Sequence, residues 1–289
     1  MISDYSKLLR VSHWIKNIFV FVPILFSKHL FNWFYFSDVL FAFITFSLAA
    51  SLIYIFNDLI DVEYDRKHPV KKYRPIASGK VSVQQAKYSL VILLILIIIL
   101  TSQLNWAFTF TLMAYVVINV FYTLLLKNII IMDVLSIASG FMLRVLAGAF
   151  VIDIYISNWL ILTTIFLALY LAAMKRRSEL HAQVGGNSTR AVLKDYSKKF
   201  IDIITLISGI GLIACYILYS VSERTLNQFG SKYFIFTSIF VAFGVLRYMF
   251  LVLKRSKGEN PTEIMLTDIP MIVNTLLYIF VIITIIYIK

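Results

Sequence analysis

Cysteine is almost missing: Cys215 is the single one in 289 residues. No intramolecular disulfide and no Cys-x-x-Cys metal or redox pair can therefore form, and Cys215, inside an apolar run, reads as a small buried hydrophobe. Charge is scarce too. Charged residues make up 15% of the chain, against about 25% in soluble domains. The four histidines, His13, His29, His68 and His181, lack the His-x-x-His and His-Glu-x-x-His spacings of zinc sites. The opening MISDYSKLLRVSHWIKN mixes acids, bases and aromatics, so a cleavable signal peptide is not expected. Low-complexity tracts and a second, soluble domain are absent as well.

What fills the chain instead is apolar: 60% of it is hydrophobic, with 24 Phe and 17 Tyr. That is the composition of a polytopic membrane protein, whose side chains meet lipid rather than water. Apolar runs long enough to cross hydrocarbon predict an all-α bundle of nine transmembrane helices, near residues 14–32, 37–57, 86–103, 107–125, 129–152, 157–174, 200–221, 232–252 and 269–288. Pro23 interrupts the first of them. Residues 1–289 read as one catalytic domain with two long cytoplasmic loops, about 58–85 and 175–199.

The net charge of +12 follows membrane orientation and does not call for nucleic acid. With the N-terminus in the cytoplasm, only Lys28, Arg144, Arg224, Lys232 and Lys289 of the 27 Lys and Arg fall outside the cytoplasmic connections and borders. The N-terminus and both long loops are accordingly expected at the cytoplasmic face, where they would form the walls or lids of a site.

The densest charge lies at NDLIDVEYDRKHPVKKYRPIASG, residues 57–79. On a continuous helix Asp58, Asp61 and Asp65 project within about 60° of one another, with Asn57 at the edge of that sector. Like charges on one face repel unless a cation sits against them. Mg2+ meets that need, since it prefers carboxylate oxygens and is commonly shared with substrate phosphates. Asp58, Asp61 and Asp65 are thus the expected metal ligands and catalytic residues, and the downstream Arg66, Lys72 and Arg74 are candidate substrate contacts.

A second cluster, Lys175, Arg176, Arg177, Ser178 and Glu179, follows the sixth run and is mainly cationic. The cations Lys175 and Arg176 suit the phosphate of a membrane-borne acceptor, Glu179 shares a helix face with Lys175 and joins them as a candidate substrate contact, and Arg190, Lys194, Tyr196, Lys198 and Lys199 continue the basic surface. Arg144 is costly in an apolar helix unless it meets an anion or water. Asp133, eleven residues earlier, shares its helix face, and the two are expected to line one cavity although about 16 Å separates them along the axis. Lys16, Asn17, Tyr122 and Lys127 border the same cytoplasmic side. Arg10, His13 and Trp14 mark the first membrane border, and 258–268 reads as a surface loop or cap.

The NDxxDxxxD pattern at residues 57–65, at the end of a second membrane helix, resembles the UbiA-type superfamily of intramembrane prenyltransferases over essentially the whole chain. Finer stretches, RVSHWIKNIFVFVPILFS (10–27), NDLIDVEYDRKHPVKKYRPIASGKVS (57–82), FYTLLLKNIIIMDVLSIASGFMLRVLAG (121–148), LAAMKRRSEL (171–180) and GENPTEIMLTD (258–268), are similar to its decaprenyl-phosphate phosphoribosyltransferase branch. The resemblance implies Mg2+-dependent transfer of 5-phosphoribose from 5-phosphoribose 1-diphosphate to a polyprenyl phosphate in a bacterial or archaeal cytoplasmic membrane, feeding arabinan or other cell-envelope precursors. The cationic 175–179 segment departs from the second acidic motif of members that use prenyl diphosphate donors, which favours a lipid monophosphate acceptor. The competing readings are a prenyltransferase with an aromatic or other small acceptor and, further off, a transporter of a phosphorylated lipid. No motif sets an oligomeric state.

Overall fold

The computed structural model describes residues 2–182, 196–255, 264 and 267–288. Every regular element among them is helical. Eight helices are long and apolar enough to cross a membrane: Trp33–Ile60, Val83–Thr101, Trp106–Leu124, Met132–Val151, Asn158–Leu180, Lys198–Val221, Lys232–Lys254 and Ile269–Ile288. The protein is an all-α integral membrane protein. Apolar side chains left on the outside, such as Val91, Ile92, Ile95 and Ile98 on the Val83–Thr101 helix, are what lipid-facing helices require.

The expected first span takes another form. Val11–Phe21 is a 3-10 helix of 11 residues and Val22–Phe26 a short α-helix. Pro23 starts that helix instead of breaking one: it occupies the first turn, where a missing N–H costs nothing. In a 3-10 helix residues i and i+3 eclipse, so Trp14, Asn17 and Val20 form one row. Trp14 Nε1 donates to Ser51 Oγ (3.0 Å) and Asn17 Nδ2 to Ser47 Oγ (2.9 Å).

Two compact units make up the fold, Met1–Leu124 with Leu143–Tyr155, and Leu125–Met142 with Ile156–Lys289. In the first, the 28-residue Trp33–Ile60 helix is central. Asn32 caps it by accepting from the Phe34 N–H, and its buried face carries the small residues Ala42, Thr45, Ser47, Ala49, Ala50 and Ser51, which let neighbouring backbones come close. A separate close approach brings Gly148 against the 3-10 helix, where a Cβ would lie 1.9 Å from the Val20 carbonyl oxygen. Ser82 and Gln85 form a reciprocal capping box on the Val83–Thr101 helix, stopping the preceding loop at a defined residue. Asn105 caps Trp106–Leu124 and also donates to the Phe150 carbonyl.

In the second unit Asn158–Ala182 packs along Lys198–Val221. The former runs well past residue 174, so Lys175, Arg176, Arg177 and Glu179 stand on helix, not in a loop. Residues 183–195, with Arg190 and Lys194, lie outside the described residues, as does most of the expected cap at 258–268. Asp268, at its end, caps Ile269–Ile283 and holds Arg247 through two hydrogen bonds of 3.1 and 2.9 Å.

Candidate active site

The Trp33–Ile60 helix ends at Asp61, whose N–H is accepted by the Asn57 carbonyl (2.9 Å). A short helix, Val62–Lys67, then carries Asp65. Asp58 and Asp65 are 3% and 1% exposed, which is too costly for two ions without compensation. Arg74 supplies it to both: its Nη1 lies 3.0 Å from Asp58 Oδ1 and 2.6 Å from Asp65 Oδ2. Arg10 Nη2 adds a second contact to Asp58 Oδ1 at 2.5 Å. Arg10 reaches inward from a backbone in the left-handed region, φ 49°, and its guanidinium lies over the Tyr54 ring at 4.7 Å.

The loop that delivers Arg74 is closed by His68. Its Nδ1 accepts from the N–H groups of Val70 and Lys71, both at 3.2 Å. Burial, then the nearby Lys71 charge, lowers the His68 pKa, which keeps the neutral acceptor form that this turn needs. A 3-10 turn over Lys71–Tyr73 follows and leaves Arg74 extended before Pro75.

The three expected metal ligands are therefore not equivalent. Asp58 and Asp65 share Arg74, while Asp61 sits half-buried at the helix junction between them. Among the described residues no group of three or more His, Cys, Asp or Glu is drawn together closely enough to hold a metal ion. The donor set nonetheless suits Mg2+: the oxygens are hard carboxylate ligands, and Asp65 Oδ1 is buried with no hydrogen-bond partner, an acceptor that normally finds one.

The other candidates fall in several places. Arg66 pairs with Glu63 at 2.8 Å on the exposed face, and Lys72 lies over the Tyr73 ring at 5.2 Å. Asn57 and Tyr122 are half-buried near the ends of their helices, and Lys127 is half-buried in the Leu126–Asn128 turn. Lys16 follows His13 by three on the 3-10 helix.

Arg144 and Asp133, expected to line one cavity, belong to different networks. In the first unit Arg144 Nε donates to Asn17 Oδ1 (2.7 Å) and Nη2 to the Tyr115 hydroxyl (3.0 Å). Its guanidinium also lies over the Phe46 and Tyr115 rings at 5.3 and 4.8 Å. In the second unit Asp133 and Arg176, both fully buried, meet at 2.6 Å. Arg176 Nη1 reaches Glu179 Oε2, also at 2.6 Å, and the Tyr196 hydroxyl donates to Asp133 Oδ1 at 2.6 Å while accepting from the Ile131 N–H at 2.7 Å. Burial and the bond to Asp133 raise the Tyr196 pKa, so it stays a donor. The 175–179 cluster is thus less one-sided than its sequence implies. Arg176 is answered by Asp133 and Glu179, and Arg177 by Asp202 at 2.5 Å.

Arg10, read as a border residue, and Tyr115 are the site and network residues that sequence reasoning left aside, and Tyr196, read as part of a basic surface, belongs to the buried Asp133 network. Arg10 reads as a border residue because its partner is 48 positions away. Tyr115 carries no linear signal among 17 tyrosines.

Over most of its length the chain is similar to known proteins. Residues 18–267 match the UbiA prenyltransferase family. The chain is 32% identical over 280 residues to the decaprenyl-phosphate phosphoribosyltransferase of Mycolicibacterium smegmatis, covering 93% of this chain and 87% of that protein. It is 30% identical over 289 residues to the Corynebacterium glutamicum protein of the same name, covering 98% and 86%. Among solved structures, a UbiA homologue from Archaeoglobus fulgidus bound to GPP and Mg2+ shares the fold, with a TM-score of 0.70, 20% identity and coverage of 98% and 99%. The chain belongs to the UbiA prenyltransferase family, on the branch that carries the decaprenyl-phosphate phosphoribosyltransferases.

Proposed function

We propose that this membrane enzyme transfers 5-phosphoribose from 5-phosphoribose 1-diphosphate to a polyprenyl phosphate, releasing diphosphate. The whole-chain likeness to two decaprenyl-phosphate phosphoribosyltransferases carries the reading. The buried pair of acids with their shared arginine supports it, as a place where a metal-bound diphosphate would sit.

Asp58, Asp65 and the adjacent Asp61 would hold Mg2+, which when bound neutralises charge on the leaving diphosphate. Arg10 and Arg74, which balance the acids, are donors of charge-assisted hydrogen bonds suited to the phosphate oxygens of the donor. An oxygen of the lipid phosphate attacks C1 of the ribose as the C1–O bond to diphosphate breaks, the electron pair leaving with the diphosphate. The attacking oxygen is already anionic, so no general base is required. Of the cations expected to orient it, Arg144 is held by Asn17 and Tyr115, and Arg176 is paired with Asp133 and Glu179. Direct displacement inverts C1, from an alpha donor to a beta product.

Residues 1–289 act as a single catalytic domain with nine spans, the ninth being Val11–Phe26. Eleven residues at about 2.0 Å and five at about 1.5 Å each reach about 30 Å, the depth of the hydrocarbon core. N-terminus and active site face the cytoplasm of a bacterial or archaeal membrane.

Purified protein, reconstituted in lipid with labelled phosphoribosyl diphosphate or labelled prenyl diphosphate, tests the reading. A phosphoribosylated lipid formed with Mg2+ and lost with EDTA is the expected result. Turnover of the prenyl donor alone, with an aromatic acceptor, would replace it by the prenyltransferase reading, and a retained C1 configuration would contradict direct displacement.

A further inference from the structure

In the first unit an open cleft of about 440 Å³ lies against the two arginines of the site. Ser6, Lys7, Arg10, Ser12, His13 and Arg74 line it, and among the described residues the lining contains no carboxylate. Ser6 and Lys7 come from the Ile2–Leu8 helix, Arg10 from the turn after it, and Ser12 and His13 from the start of the 3-10 helix. That turn is held in place: Ser51 Oγ donates to the Leu9 carbonyl at 2.7 Å, and Arg10 keeps its positive φ, a conformation found where surrounding structure overdetermines the backbone. Arg10 and Arg74 thus serve two neighbours, the buried acids on one side and the cleft on the other.

We propose that this cleft is a phosphomonoester subsite that receives the 5-phosphate of the sugar donor. The inference rests on phosphoribosyl transfer as the function. Such a donor carries two anionic groups on either side of a ribose. Its diphosphate belongs with the acids, through a metal, and its phosphomonoester needs hydroxyls and cations, which the cleft offers through Ser6, Lys7 and Ser12, with Arg10 and Arg74, which also hold Asp58 and Asp65, completing the lining. A prenyl diphosphate has one anionic end and would leave the cleft without a role. The cleft therefore selects between donor classes.

The polyprenyl phosphate is the other source of a phosphomonoester, and kinetics with each substrate varied in turn separates the two. Lys7 is exposed, so Lys7→Glu is compatible with folding. It should raise KM for phosphoribosyl diphosphate about ten- to a hundredfold, the loss expected for one charge-assisted bond, and leave KM for the lipid phosphate within about twofold. Lys7→Arg should restore the donor KM. Ribose 5-phosphate, but not ribose, should raise the thermal midpoint of the wild type and not of Lys7→Glu. A rise in the lipid KM instead of the donor KM would hand the cleft to the acceptor and overturn the proposal. So would equal protection of both proteins by ribose 5-phosphate. Wild-type protein that uses only prenyl diphosphate defeats the functional reading itself, whereas use of the phosphoribosyl donor with a KM indifferent to Lys7 defeats the subsite alone.

Discussion

At the scale of single residues, the acids of the site differ in what they hold. Asp58 and Asp65 are buried and tied to arginines, so replacing either disturbs folding and chemistry together. Asp61 is half-buried at a helix junction and separates the two. Asp61→Asn should lower Mg2+-dependent turnover by at least about a hundredfold, the upper end of what loss of an outer-shell partner costs, in a protein that still folds; full activity would exclude Asp61 from the metal. The Asp133–Arg176 pair makes the opposite prediction. Removing one partner of a buried ion pair costs about 3–5 kcal/mol, so Asp133→Ala should unfold at markedly lower temperature, while Tyr196→Phe, which removes one hydroxyl from the same carboxylate, should cost about 1 kcal/mol. Comparing their thermal midpoints in one detergent checks both. The acids at 57–65 were legible in the sequence because they are local. The counter-charges were not: Arg10 reaches Asp58 across 48 positions and Arg176 reaches Asp133 across 43, and spacing along a chain carries no information about such pairs.

At the scale of elements, apolar length located eight spans among the described residues, seven of them within a few residues at both ends. It failed where the helix type changed. A period of 3.6 hides the row Trp14, Asn17, Val20, which lines up only at three residues per turn, and Pro23 reads as a break only if the segment before it is taken as α-helix. The Asn158–Ala182 helix outran its expected end because Lys175, Arg176 and Arg177 look like a border, yet Arg176 is fully buried. Gly148 tests the packing of the 3-10 helix. With a Cβ 1.9 Å from the Val20 carbonyl oxygen, Gly148→Ala cannot be absorbed by a side-chain rotation and must displace backbone. Overpacking of this kind costs about 1–3 kcal/mol or more, so a lowered thermal midpoint is expected, and an unchanged one would mean that the 3-10 segment packs elsewhere.

At the scale of the whole molecule, the distribution of Lys and Arg gives an orientation that labelling can read directly. Cys215 is the single cysteine and is buried, so Cys215→Ser provides a background for added thiols. In that background Lys72→Cys should react with an impermeant maleimide only from the cytoplasmic side, and Lys232→Cys only from the opposite one. Reversed labelling would invert the topology. The length of the Trp33–Ile60 helix adds a dependence on the bilayer itself. Its 28 residues extend about 42 Å, whereas the 19 residues of Val83–Thr101 extend about 28 Å, close to the hydrocarbon depth. A helix that overshoots the core tilts more in a thin membrane than in a thick one, and this one carries Asp58 on its last turn. Acyl-chain length is therefore an adjustable variable for the enzyme: turnover in vesicles of uniform phosphatidylcholine should pass through an optimum as the chains are lengthened, at constant surface charge and constant Mg2+.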